Sequence, residues 1–192
     1  MKIIDSVSET SNFIEFNGRT YDLQLGVSSF IEIEKCFKGG NREALETLGN
    51  GDSFYKILTI LLNESIIVRI YNGGERESLY SVGEVVRLCN PNEMQSYADA
   101  IQRAFVYSLG DGSEPNTADD ELDKELENED LPEFKEEQSE KQESTLNVDR
   151  WYYRIVCLLG FSEFEFYHMR INKMTALFTE YCFFNGLIER EG

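Results

Sequence analysis

Asp111–Glu143 reads DGSEPNTADDELDKELENEDLPEFKEEQSEKQE. It holds 15 Asp and Glu against three Lys, a net of −12 in a chain whose total is −18. Its only large apolar residues are Leu122, Leu126, Leu131 and Phe134. So little apolar surface cannot offset the entropy lost on ordering, and like charges along the stretch repel. The composition predicts an acidic, disordered linker over residues 111–147. It separates residues 1–110, with 15 acidic and 10 basic side chains, from residues 148–192, with six and five.

The two flanking parts are unequal. The first is long enough to bury a modest core, and the second is shorter than the ~70 residues below which domains rarely fold unaided. The second part is therefore expected to lean on the first or on a partner. A net charge of −18 and a pI near 4.4, with Lys and Arg scattered singly, exclude nucleic acid as a ligand, since phosphate binding needs a basic face. Met1-Lys2-Ile3-Ile4 runs at once into Asp5, which is no secretory leader, and no apolar run approaches the ~20 residues of a membrane span. A soluble, cytoplasmic protein is expected.

Sites of chemistry are sparse. Cys36, Cys89, Cys157 and Cys182 lie far apart without a C-x-x-C, and read as reduced core cysteines. The single His168 has no Cys or Asp at ligand spacing and offers no Ser/His/Asp arrangement. Gly73-Gly74 and Gly110-Asp111-Gly112 lack the strand–helix context and the Lys of a phosphate loop. Asp119–Asp130 lacks the Gly and the ligand spacing of an EF-hand loop. The sequence supports no catalytic residue, no cofactor and no metal, and the expectation is a protein that is not an enzyme.

Local signals predict a mainly α fold opened by a small hairpin. Phe13–Phe16 and Arg19–Leu23 flank Asn17-Gly18, the pair that supplies both positive-φ positions of a type I′ turn. Ser28–Lys38 reads as a helix capped by Ser28 or Ser29, with Phe30, Ile33 and Phe37 inward and Gly39-Gly40 as its stop. Asn41–Leu48 is a short helix. Asp52 is the expected cap of a stronger one, whose stripe Phe54, Ile57, Leu58, Leu61 and Leu62 suits the centre of a bundle. The helix is expected to continue through Asn63–Tyr71. Ser81 and Glu84 form a capping-box pair ahead of an expected buried face of Val82, Val85, Val86 and Cys89. Glu93–Leu109 places Met94, Tyr97, Ala98, Ile101, Ala104, Phe105 and Ser108 on one side.

Residues 148–192 carry 11 of the 24 aromatics. Trp151–Leu159 is apolar nearly all round, Ser162 and Glu165 form a second capping-box pair, and Lys173–Leu187 reads as the last helix. Two arrangements fit so much aromatic surface on so short a segment: an exposed interface, or an aromatic core docked on the N-terminal part.

Several stretches together resemble a known family. They are Ser81-Val82-Gly83-Glu84-Val85-Val86, then Tyr97-Ala98-Asp99-Ala100-Ile101-Gln102-Arg103-Ala104-Phe105, a charged tether, Trp151, Leu159-Gly160, Ser162-Glu163-Phe164-Glu165-Phe166 and Tyr167-x-Met169. In that order the chain resembles the tail assembly chaperones of long-tailed bacteriophages and prophages, in the two-part form with a downstream extension that is often reached by ribosomal frameshifting. Where the family usually has a Thr- or Pro-bearing helix start, this chain has Arg170-Ile171-Asn172-Lys173. The resemblance implies a non-enzymatic chaperone of virion assembly in the bacterial host cytoplasm, absent from the mature virion. Residues 1–110 would be the body that binds the tape measure protein. Residues 148–192 would contact the tail tube protein through Trp151, Tyr152, Phe164, Phe166 and Phe178, with Trp151 and Phe166 as the best anchors. A homo-oligomer is left open. The rival reading is an acidic decoy that mimics DNA and inhibits a nucleic-acid-binding enzyme, although a decoy should display its charge on ordered elements.

Overall fold

Asn17 and Gly18 both adopt positive φ, 49° and 72°, and close the hairpin of β1 (Phe13–Phe16) and β2 (Arg19–Asp22). The strands pair antiparallel with Ile14 opposite Tyr21 and Phe16 opposite Arg19. Ile14, Phe16 and Tyr21 point into the core. The computed structural model describes residues 12–109 and 146–188, and 67% of those lie in helices. Residues 111–145 of the expected linker lie outside the described residues.

Helix α1 (Val27–Cys36) starts one turn earlier than its serines suggest. Gly26 is the cap residue, and Ser29, three residues on, returns its hydroxyl to the Gly26 backbone. Helix α2 (Gly40–Glu46) follows. Asn50, rather than Asp52, caps α3 (Gly51–Tyr71), because its side chain reaches the Asp52 amide at 3.1 Å. Helix α3 is 21 residues long and continuous through Ile66-Ile67-Val68, as the helical stripe predicts. Phe54, Ile57, Leu58, Ile60, Leu61, Leu62 and Ile66 are all buried, so α3 is enclosed around most of its girth and serves as the central element.

The chain returns through residues 72–81, pinned by polar contacts. Asn63 and Tyr80 exchange hydrogen bonds of 2.9 and 2.8 Å. Glu77 accepts from the Tyr21 hydroxyl at 2.5 Å and pairs with Arg19 at 3.0 Å and with Arg69. Burial, with the Tyr80 hydrogen bond second, pushes the Tyr21 hydroxyl above the usual phenol range. Helix α4 (Val82–Leu88) opens on the expected Ser81/Glu84 box. Its buried face is narrower than the sequence predicts: only Val85 is enclosed, Cys89 is half-buried, and Val82 and Val86 face solvent. A helix of two turns meets α3 along one line of side chains, which leaves no neighbour for the rest.

A 3₁₀ turn (Pro91–Glu93) leads into α5 (Met94–Leu109), which buries Tyr97, Ala100, Ile101, Ala104, Phe105 and Ser108. The Tyr97 hydroxyl donates to the Glu15 carbonyl at 3.0 Å and so ties α5 to the hairpin. After residue 147 come α6 (Val148–Tyr152), a π-helical turn (Tyr153–Leu158), α7 (Glu163–His168) and α8 (Ile171–Phe184). The aromatic segment takes the docked arrangement. Trp151, Ile155, Phe166, Met169, Met174, Phe178 and Cys182 join one apolar core with the side chains of α1, α3 and α5. No described helix is long and apolar enough to cross a membrane.

Candidate functional site

The C-terminal segment meets the rest of the protein where the hairpin exits into α1. The Val27 amide donates to the Met169 carbonyl at 3.2 Å, and Gly26 pairs with Arg170 as an antiparallel bridge. Ser108, fully buried near the end of α5, donates to the Leu25 carbonyl at 2.5 Å and accepts from the Ile171 amide at 3.3 Å. Glycine is needed at position 26 for room: a Cβ there would lie 2.7 Å from Glu64 Oε1 and 3.1 Å from the His168 carbonyl. With φ at −85°, backbone strain plays no part.

Above this crossing sits a cluster that the sequence did not disclose. Glu64 is the one carboxylate buried in α3, with 4% of its side chain exposed. Its Oε1 lies 2.7 Å from His168 Nδ1 on α7, and its Oε2 accepts from Ser28 Oγ on α1 at 2.8 Å. A carboxylate oxygen only accepts, so Nδ1 carries the hydrogen. Ser28, Glu64 and His168 are the residue types of a hydrolytic triad, but their order differs. The carboxylate is central, and the serine proton points at it rather than at the imidazole. Ser28 Oγ lies 3.4 Å from the ring nitrogen that Glu64 already engages. The arrangement binds α1, α3 and α7 together. No signal in the sequence singled it out: Glu64 stands in the polar triplet Asn63-Glu64-Ser65 between Leu62 and Ile66.

The five residues expected to grip a partner fall into three places. Trp151 and Phe178 are buried edge to face, with centroids 6.0 Å apart, and the Arg154 guanidinium lies 5.0 and 4.3 Å from their rings. Phe166 is fully buried, with Tyr152 against it at 5.5 Å. Tyr152 is half-buried and donates to Glu163 at 2.5 Å, and that hydrogen bond, ahead of burial, pushes its hydroxyl up to about 12. Phe164 stacks on Tyr71 at 3.7 Å, with His168 on its other flank at 4.1 Å. In the docked state Trp151, Phe166 and Phe178 are therefore core side chains, and Tyr152 and Phe164 are the two that reach the surface.

Apolar surface is available elsewhere. Around α4, Leu79, Val82, Val86 and Leu88 are 39–52% exposed, and a Cβ added at Gly83 would meet nothing within 4 Å. On the C-terminal segment Tyr153, Leu158, Phe184 and Leu187 are exposed, Phe184 most of all at 73%. Among the described residues no group of three or more His, Cys, Asp or Glu is placed to hold a metal ion. What these faces can do chemically is bind apolar side chains. No protein-family model, curated protein or solved structure matches the chain.

Proposed function

We propose that this chain is a non-enzymatic tail assembly chaperone of a long-tailed phage. It holds amphipathic helices of the tape measure protein in solution and recruits tail tube subunits, working in the host cytoplasm and leaving before the virion is complete. The observation that carries the reading is the exposed apolar surface of Val82 and Val86 on α4 and of Leu79 just ahead of it, open to solvent on a helical body and flanked by Gly83, where a second helix can approach closely. It coincides with Ser81–Val86, one of the stretches that carry the family resemblance. Exposed apolar surfaces of this kind take the apolar face of a partner helix. The strong net negative charge keeps a complex with an aggregation-prone client soluble.

Co-expression with the tape measure protein tests this. The intact chain should bring the client into the soluble fraction, and a double variant with Val82→Asp and Val86→Asp should not. Both positions face solvent, so the variant should fold with a stability change within about ±0.5 kcal/mol per site. A client equally insoluble with and without the chain overturns the reading. Inhibition of a nuclease or polymerase, competitive with DNA, would favour the acidic decoy.

A further inference from the structure

We propose that residues 163–172 form a releasable latch on a receptor that residues 12–109 keep assembled without it. The argument rests on where the buried polar groups of the junction find their partners. Glu64, enclosed in α3, accepts from Ser28 of the body as well as from His168 of the latch. Ser108, fully buried, donates to Leu25 of the body and accepts from Ile171 of the latch. Gly26 exchanges hydrogen bonds with Ser29 and needs nothing from the latch to cap α1. Each of these groups keeps a body partner when the latch leaves. The Val27 amide, which donates to the Met169 carbonyl, stands in the first turn of α1, whose backbone donors have no partner within the helix, and water takes the place of Met169 once the latch has left.

Arg170 of the latch also pairs with Asp22 at 3.9 Å, and Asp22 keeps the Asn12 amide and the Gln24 side chain as body partners. Release therefore leaves each of these body groups a partner, and the loss of every partner is what makes the breaking of an ordinary buried pair costly. The receptor has a defined shape. It takes the C-terminal turn of a helix through Glu64, then an extended dipeptide through the Gly26–Val27 backbone, then a helix start through Ser108. The close approach of the His168 carbonyl at Gly26 leaves no room for a side chain at position 26.

The latch hides Phe166 and Met169, both buried in the docked state. A partner that grips these side chains meets only the opened fraction of molecules, and its apparent affinity is reduced by that fraction. In the chaperone reading this makes engagement through the extension conditional on opening. The latch itself does not depend on that reading and can be tested without any client.

Amide exchange on the full chain reads it directly. Val27 and Ile171 donate across the junction, whereas the Leu61 amide lies inside α3. In the intact protein Val27 and Ile171 should share one opening reaction, at least ~10-fold more frequent than that of Leu61 and with a shallower denaturant dependence. His168→Ala should raise exchange at Val27 and Ile171 about tenfold or more, the cost of a hydrogen bond to a charged group, and leave Leu61 unchanged. His168→Asn, whose amide nitrogen takes the place of Nδ1, should restore the protection. A single exchange rate and denaturant slope for all three amides in the unmodified chain would overturn the proposal, as would a His168→Ala effect of equal size on Leu61. The first of these comparisons needs no variant, so it decides even if His168→Ala fails to fold.

Discussion

Helices α3 and α8 are both rich in large apolar residues, but they stand differently in the molecule. Helix α3 is covered by the hairpin, α1, α4 and α5 and buries apolar side chains around most of its circumference. Helix α8 buries Met174, Phe178 and Cys182 along one line and leaves Phe184 in solvent. The contrast extends to polar groups. Toward its own body α3 is mostly apolar, with Asn63 held by Tyr80 and Arg69 by Glu77, and toward the C-terminal segment it presents the buried Glu64, which also accepts from Ser28. One helix is a centre that nothing can leave, and the other belongs to a segment held by one face and a few hydrogen bonds. Apolar content alone does not distinguish a core from a dock. What distinguishes them is how many sides are covered and whether the polar groups at the seam have partners on their own side.

That comparison can be broken most forcefully at its centre. Leu61→Ala removes a fully enclosed side chain of α3 and should cost about 2–5 kcal/mol, with fluorescence of the single Trp151 and far-ultraviolet circular dichroism shifting together in urea. Phe166→Ala empties an equally enclosed site on α7. Its local cost is about 3–5 kcal/mol. The loss felt by α3 should be smaller, because undocking caps it at the docking free energy of the segment. Equal loss at both sites by both probes would erase the distinction between centre and dock.

Gly26→Ala sharpens it further. The new methyl meets Glu64 and the His168 backbone, so it should loosen the segment by about 1–3 kcal/mol while leaving α1 intact, as nuclear magnetic resonance shifts of Met169–Ile171 would report. The smallest expected effect is one of pH. The Ser81 backbone and hydroxyl hold Glu84 below the usual carboxylate range, and the Ser162 hydroxyl and backbone do the same for Glu165. A folded-state pKa below the unfolded one, about 4.3 for Glu, contributes stability that is complete above the unfolded value and lost as pH falls through the folded one. Acidification below about pH 4 should therefore fray the first turns of α4 and α7. Glu84→Ala and Glu165→Ala should remove that acid dependence. Both carboxylates are exposed, so the change should be visible in the amide shifts of Ser81 and Ser162 before it registers in a melting curve.

What could be read from the sequence divides by range. The hairpin was legible because Asn17-Gly18 is a local instruction, and both Ser-to-Glu boxes were legible for the same reason. The starts of α1 and α3 were misread by two or three residues where candidate caps stood close together. Gly26 and Asn50 took the role expected of Ser28 or Ser29 and of Asp52. The face of α4 was misread because periodicity shows which residues align, not whether anything lies opposite them. Val82 and Val86 align and face water. Glu64 and His168 are 104 residues apart, and no spacing rule joins them. The aromatic segment showed its need for a neighbour through its size, but its separation of Trp151, Phe166 and Phe178 from Tyr152 and Phe164 depends on tertiary packing.

The π-helical turn at Tyr153–Leu158 bears on which length changes the chain can accept. There the Leu159 amide reaches back five residues, to the Arg154 carbonyl, instead of four. Such a turn is what an α-helix becomes when it absorbs one extra residue. Removing one residue between 153 and 158 would let the backbone close as an ordinary α-helix with no bond lost. It would also turn everything before the deletion about 100° relative to everything after it. Trp151 and the stretch from Gly160 onward could then no longer both keep their present seats. A single-codon deletion that the backbone tolerates well would undo the aromatic packing.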